Sequence, residues 1–133
     1  METIYKSAWL CIENRRILFA RSEENANTFY LPGGKREAGE SDHEALIREV
    51  KEETTAMLLP DTIQHAKTFT DHAHNKPANV QVVVKAYFAE YEGDIMEYNE
   101  IAELAWLTSS DSDKLYGAGV QVLAWLKAND YID

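Results

Sequence analysis

The sequence predicts an α+β protein in which a mixed β-sheet lies between two helices. Segments of strand character mix with helical ones without regular alternation, and helical spacing is found at 41–54 and in the C-terminal "GVQVLAWLKAND". The chain has no internal repeat, low-complexity tract or Pro- or Gly-rich linker, so residues 1–133 are expected to form one domain. A chain of this length can bury about two thirds of its unfolded surface, enough for a real core.

Along the chain, "YKSAWLCI" and "RILFARS" read as two strands of a hairpin around the polar turn Glu13, Asn14 and Arg15. "TFYL" is a short strand candidate that Pro32, Gly33 and Gly34 must end. Ser41 followed three residues later by Glu44 is a capping-box pattern that starts a helix over 41–54. "TIQHAKTFTD" and "VQVVVKAYFAEY" are long strand candidates, and the Asn and Pro of the intervening "HAHNKPAN" make it a loop. "IAELAWLT" is a further strand. The last helix is expected to turn Val120, Leu123, Ala124 and Leu126 towards the core.

Composition narrows the function. Hydrophobic residues make up 45% of the chain and charged residues 27%, which excludes disorder. The net charge of -10 repels polyanions, and the basic residues are scattered, so a nucleic acid polymer is not an expected partner. A small phosphate ester presented with a divalent metal remains compatible with this charge. Cys11 is the single cysteine, so no intrachain disulfide forms, and a buried inert thiol is expected. No apolar stretch approaches the ~20 residues that span a bilayer, and "METIYKSAWLCIENRR" lacks a secretory pattern. No membrane partner is expected, and cytoplasm is the expected location.

The helix at 41–54 carries the chemistry. At about 100° per residue, Leu46, Ile47, Val50, Thr54 and Met57 share one arc, and Glu49, Glu52 and Glu53 occupy the next. Like charges four apart cost roughly 0.2–0.5 kcal/mol per pair on a helix, so the cluster is either a solvated face or a ligand site. Glu53 falls at the edge of the apolar stripe, where the strand end "LPGG" can approach and partly desolvate it. Partly buried carboxylates this close need protonation or a cation, and a hard divalent ion such as Mg2+ suits their oxygens. Arg48 is within i,i+4 reach of Glu44 and Glu52.

Gly34, five residues, Glu40, seven residues and then "REVKEE" resemble the signature box of the Nudix hydrolases, GX5EX7REUXEEXGU, where U is a bulky aliphatic. The chain departs at its end, with Thr55 where the family has glycine and Ala56 where it has a bulky aliphatic. The resemblance implies an α/β/α sandwich with a mixed sheet. It implies Mg2+, with Mn2+ as the alternative, ligated by Glu49 and Glu53, with Glu52 as a further ligand or base and the Gly33 carbonyl as an additional ligand. It also implies that Arg48 orients the carboxylates and pairs with Glu40.

A glutamate before the late "W-L" strand often serves the family as base or ligand. Glu100 is the candidate, with Glu92, Glu97 and Glu103 as rivals. The chemistry implied is attack of water on a phosphorus of a nucleoside diphosphate linked to another group. Around Asp71 to His74 the chain has neither the proline of ADP-ribose subgroups nor the tyrosine of dinucleoside polyphosphate subgroups, which leaves nucleoside triphosphates, damaged ones included, as the expected class.

The alternative from another class is a non-catalytic Nudix-like module that binds or senses a nucleotide. A Nudix-type isomerase usually needs a catalytic cysteine, and Cys11 lies outside the box. Family members often dimerise, so the resemblance allows a homodimer. His72 and His74 beside Asp71 are weighed as a transition-metal pair and read as polar loop residues. Trp9, Phe29, Tyr87, Trp106 and Trp125 are read as core rather than as stacking partners for a base.

Overall fold

The chain first reverses at Asn14 and Arg15, which both have positive φ, 53° and 61°, as a tight two-residue hairpin requires. The structure is a computed structural model that describes residues 2–24, 28–72 and 79–133. Along it run β1 (Glu2–Leu10), β2 (Ile12–Glu13), β3 (Arg16–Ser22), β4 (Gly33–Gly34), α1 (Asp42–Thr54), β5 (Met57–Leu58), β6 (Gln64–His72), β7 (Val80–Phe88), β8 (Tyr91–Glu92), β9 (Ile101–Leu107) and α2 (Ala118–Ala128).

One sheet has the order β4-β1-β7-β6, with β1 and β7 parallel and the other neighbours antiparallel. A second has the order β2-β3-β9, and β5 pairs with β8. The expected first hairpin is therefore shared between sheets. The divide falls at Cys11: the Trp9 N–H donates to the Pro32 carbonyl at 2.8 Å, whereas the Cys11 carbonyl accepts from the Leu18 N–H at 2.9 Å. Ser7, Ala8, Trp9, Leu10 and Cys11 are all buried, the pattern of a strand covered on both faces.

Alternation along these strands sorts the core. Ala8, Leu10, Ile17, Phe19, Val84 and Ala86 pack against Val122, Leu123 and Leu126 of α2. Their neighbours Trp9, Cys11, Leu18 and Tyr87 point the other way and pack against Leu46 and Val50 of α1. The sheets thus lie between two helices, as the sequence predicts.

Three local expectations are corrected. Segment 28–31 is not a strand; Tyr30 makes a single bridge to Ala20, and the pairing passes instead to Gly33 and Gly34 against β1. Met57 is not on the helical stripe, because α1 ends at Thr54 and Met57 stands in β5, 41% exposed. In α2, Val120 and Ala124 face outward, and Val122 takes the buried place beside Leu123 and Leu126. Most of the loop expected in "HAHNKPAN", residues 73–78 with His74, lies outside the described residues. No helix among the described residues is long and apolar enough to cross a membrane.

Docking of α1 rests on Leu46, which is fully buried. Leu46→Ala is expected to lower unfolding free energy by about 2–5 kcal/mol in denaturant titration, and Val120→Ala to change it by less than about 0.5 kcal/mol. Equal losses at the two positions would contradict this packing.

Candidate functional site

The site is built where α1 crosses β4. Ser41 caps the helix: its hydroxyl accepts from the Glu44 N–H at 3.1 Å, and the Glu44 carboxylate accepts from the Ser41 N–H at 2.9 Å. Glu44 is thereby used at the cap and does not serve Arg48. The two glycines of β4 are required by close approach. A methyl group on Gly33, which has φ +143°, would overlap the Ser7 carbonyl, and one on Gly34 would lie 2.6 Å from Glu49 Cδ.

With no side chains in the way, two carboxylates of α1 close onto this strand. Glu53 is 7% exposed; its Oε1 accepts from the Gly33 N–H at 2.8 Å, and its Oε2 accepts from the Tyr30 hydroxyl at 3.5 Å. The Gly33 group seen in contact with a site carboxylate is thus its amide. Glu49 lies over Gly34 and accepts from Arg48 Nη1 at 2.8 Å. Glu52, more exposed, meets the same Nη1 at 3.4 Å.

Arg48 organises this face. Its Nε and Nη2 hold Glu40 in a two-pronged pair at 2.7 and 3.0 Å, Nη2 also donates to the Lys35 carbonyl at 3.3 Å, and Nη1 lies 3.6 Å from Glu37. Arg48 and the Glu37 N–H hold the Glu40 carboxyl down at about 2. Glu53 is opposite in character. Burial pushes its carboxyl up to about 8, and repulsion from Glu49 and Glu100 adds to this against the lowering hydrogen bonds of Gly33 and Tyr30. Burial also raises Glu49, opposed by Arg48. Tyr30 is raised by burial and then by Glu53 and Glu100.

The charge of Glu100, 47 residues beyond Glu53 in sequence, also acts on Glu49, Glu53 and Tyr30. Among its rivals, Glu103 is paired with Arg21 at 3.1 Å and Glu92 stands in β8, while Glu97 lies on the same exposed segment as Glu100. Sequence reasoning missed Tyr30 and Asn99, and singled out Thr55 only as a departure from glycine. Asn99 alone had a local signal, since asparagine favours turns and left-handed backbone.

Thr55, the departure from the expected glycine, adopts the left-handed geometry itself, φ 64° and ψ -7°, and its N–H donates to the Lys51 carbonyl. The helix ends as a glycine would end it. Ala56, the other departure, is fully buried.

The remaining candidates sit apart. His43 and His65 stand edge-on to Tyr87 at 5.3 and 5.5 Å. Trp9 is fully buried and donates its indole N–H to the Ala89 carbonyl. The buried Cys11 thiol is pushed up to about 12 by desolvation and by Glu13, which keeps it protonated and unreactive.

Among the described residues, no three His, Cys, Asp or Glu side chains stand grouped as a metal cage. Arg48 Nη1 holds Glu49 and Glu52, while the Gly33 amide holds Glu53. The donor set itself is all oxygen, from Glu49, Glu52, Glu53 and Glu100, which fits a hard divalent cation rather than a nitrogen- or sulfur-seeking one. A cation would also supply the counter-charge that one guanidinium cannot give to Glu37, Glu40, Glu49 and Glu52 together.

A family model described as the NUDIX domain matches residues 5–126. No curated protein matches the chain in sequence. Among solved structures, the E. coli ORF135 protein superposes with a TM-score of 0.73 at 22% identity, covering 100% of this chain and 96% of that one. The MutT protein from Methanosarcina mazei Go1 gives 0.74 at 22% identity, covering 97% and 96%. A UDP-X diphosphatase gives 0.67 at 20% identity, covering 98% and 65%. At these identities the superpositions establish the fold.

The raised Glu53 carboxyl makes a prediction for metal-stripped protein. The unfolded chain loses the Glu53 proton near the ordinary 4.5, while the folded chain keeps it until about 8. Folding therefore loses stability as pH rises through that window. Urea midpoints at pH 5 and pH 8 should diverge more in the parent than in Glu53→Gln; equal divergence would show that Glu53 ionises normally.

Proposed function

This chain belongs to the Nudix hydrolase family, and from that premise we propose that it is a Mg2+-dependent pyrophosphohydrolase cleaving a nucleoside diphosphate linked to another moiety. Nucleoside triphosphates, damaged ones included, are the proposed substrate class. The observation that carries the reading is the buried Glu53 carboxylate, set on the Gly33 amide with the charges of Glu49 and Glu100 turned on it.

In this reading Glu49, Glu52 and Glu53 would hold the ion with the Gly33 carbonyl, and Mn2+ would serve in place of Mg2+. Bound there, the ion neutralises phosphate charge and lowers the pKa of its water. Arg48 aims Glu49 and Glu52, and Glu40 fixes Arg48 by the two-pronged pair. Glu100, whose charge acts on Glu49 and Glu53 from outside the helix, takes the proton from the attacking water, with Glu52 as the alternative base. The substrate class is supported by the absence of ADP-ribose and dinucleoside polyphosphate subgroup residues around Asp71 to His74. The name UDP-X diphosphatase, carried by one structural neighbour, accords with a phosphoanhydride substrate.

The test is release of phosphate or pyrophosphate from nucleoside triphosphates, nucleotide sugars, ADP-ribose and dinucleoside polyphosphates, with and without Mg2+. Turnover should require the ion, be fastest with a triphosphate, and fall by about a hundredfold or more in Glu53→Gln. Binding of a nucleotide without turnover would instead identify a sensing module.

A further inference from the structure

The segment that delivers Glu100 is fastened to the C-terminal end of α1. Thr55 Oγ1 donates to the Asp94 carbonyl at 2.6 Å, the Met96 N–H donates to the Thr54 carbonyl at 2.8 Å, and Asn99 Nδ2 donates to the Glu52 carbonyl at 3.0 Å. The Glu52 and Thr54 carbonyls belong to the last helical turn, whose acceptors have no partners within the helix. Segment 94–100 thus supplies what the helix end lacks.

The fastening runs directly into Glu100. Asn99, with φ 55°, sits in a turn closed by the Ile101 N–H on the Tyr98 carbonyl at 3.1 Å. The Glu100 carbonyl then accepts from the Glu23 N–H at 3.0 Å, and Ile101 opens β9. Glu100 is held from both sides.

Thr55 is costly where it stands. A β-branched residue in left-handed backbone bears roughly 1–2 kcal/mol of strain that glycine avoids. Its hydroxyl makes the bond to Asp94 that a glycine could not make. The strained residue is thus the one that reaches the segment carrying Glu100.

We propose that Thr55 and Asn99 are positioning residues that clamp segment 94–100 to the end of α1 and thereby hold Glu100 towards Glu49 and Glu53. The identity of the reaction rests on the hydrolase reading; the clamp itself does not.

The test compares the parent with Thr55→Gly, Thr55→Ser and Asn99→Gly, the last of which keeps the backbone geometry and removes the donor. Amide hydrogen exchange at Met96 reports the clamp. Mg2+-dependent release of pyrophosphate from the triphosphate that the parent cleaves fastest reports the positioning. Asn99→Gly should speed exchange about tenfold, the size of one net hydrogen bond, and lower kcat by a similar factor with KM within about twofold; Thr55→Gly, which also sheds the backbone strain, should show a smaller change in exchange and the same fall in kcat. Thr55→Ser should restore parental values in both assays.

Unchanged exchange in Asn99→Gly overturns the clamp. Faster exchange with parental kcat shows a helix cap with no positioning role and overturns the inference. A parent that cleaves no nucleotide overturns the hydrolase reading and the positioning role with it, while exchange still decides the clamp.

Discussion

The hydrogen bond from the Gly33 amide to the Glu53 carboxylate joins the fold to the chemistry. It ties α1 to β4, the edge of the sheet that β1 and β7 build. A carboxylate this buried has lost most of its water, and one amide and a distant tyrosine hydroxyl replace only part of it. Such an arrangement persists when the rest of the structure over-determines it. Here Leu46 and Val50, packed on Trp9 and Leu18, hold the helix down while its glutamates bear the electrostatic cost.

The helix separates its tasks by face. The capping box starts it, the apolar stripe docks it, and Arg48 gathers Glu37, Glu40, Glu49 and Glu52 along the flank. A single guanidinium leaves this flank acidic, in a chain whose net charge is already -10. A dianionic or more highly charged phosphate would be repelled by such a surface unless a cation accompanied it.

Legibility in the sequence followed the range of the interactions. The helix start, the glutamate arc and the long strands depend on near neighbours, and capping and periodicity revealed them, whereas the short strands β4 and β5 on either side of the helix were not foreseen. The box spacing revealed the pairing of Arg48 with Glu40 through the family resemblance. What escaped notice depends on distant partners. Tyr30 reads as a strand residue, yet its hydroxyl ends at Glu53, and the sharing of the first hairpin between sheets depends on Pro32 bonding to Trp9. Met57 fitted the helical period but stands beyond the turn that Thr55 makes. In the last helix, period alone could not choose between Val120 and Val122, because the chain is apolar on more than one face.

Burial raises the Glu53 carboxyl, and a cation accepted there would lower it again and release its proton. Calorimetric titration with Mg2+ at pH 7, in buffers of different ionisation enthalpy, measures that exchange directly. The prediction is release of about one proton per ion bound, reduced towards zero and with weakened binding in Glu53→Gln. Equal affinity and equal proton release in parent and variant would place the ion elsewhere and contradict the account.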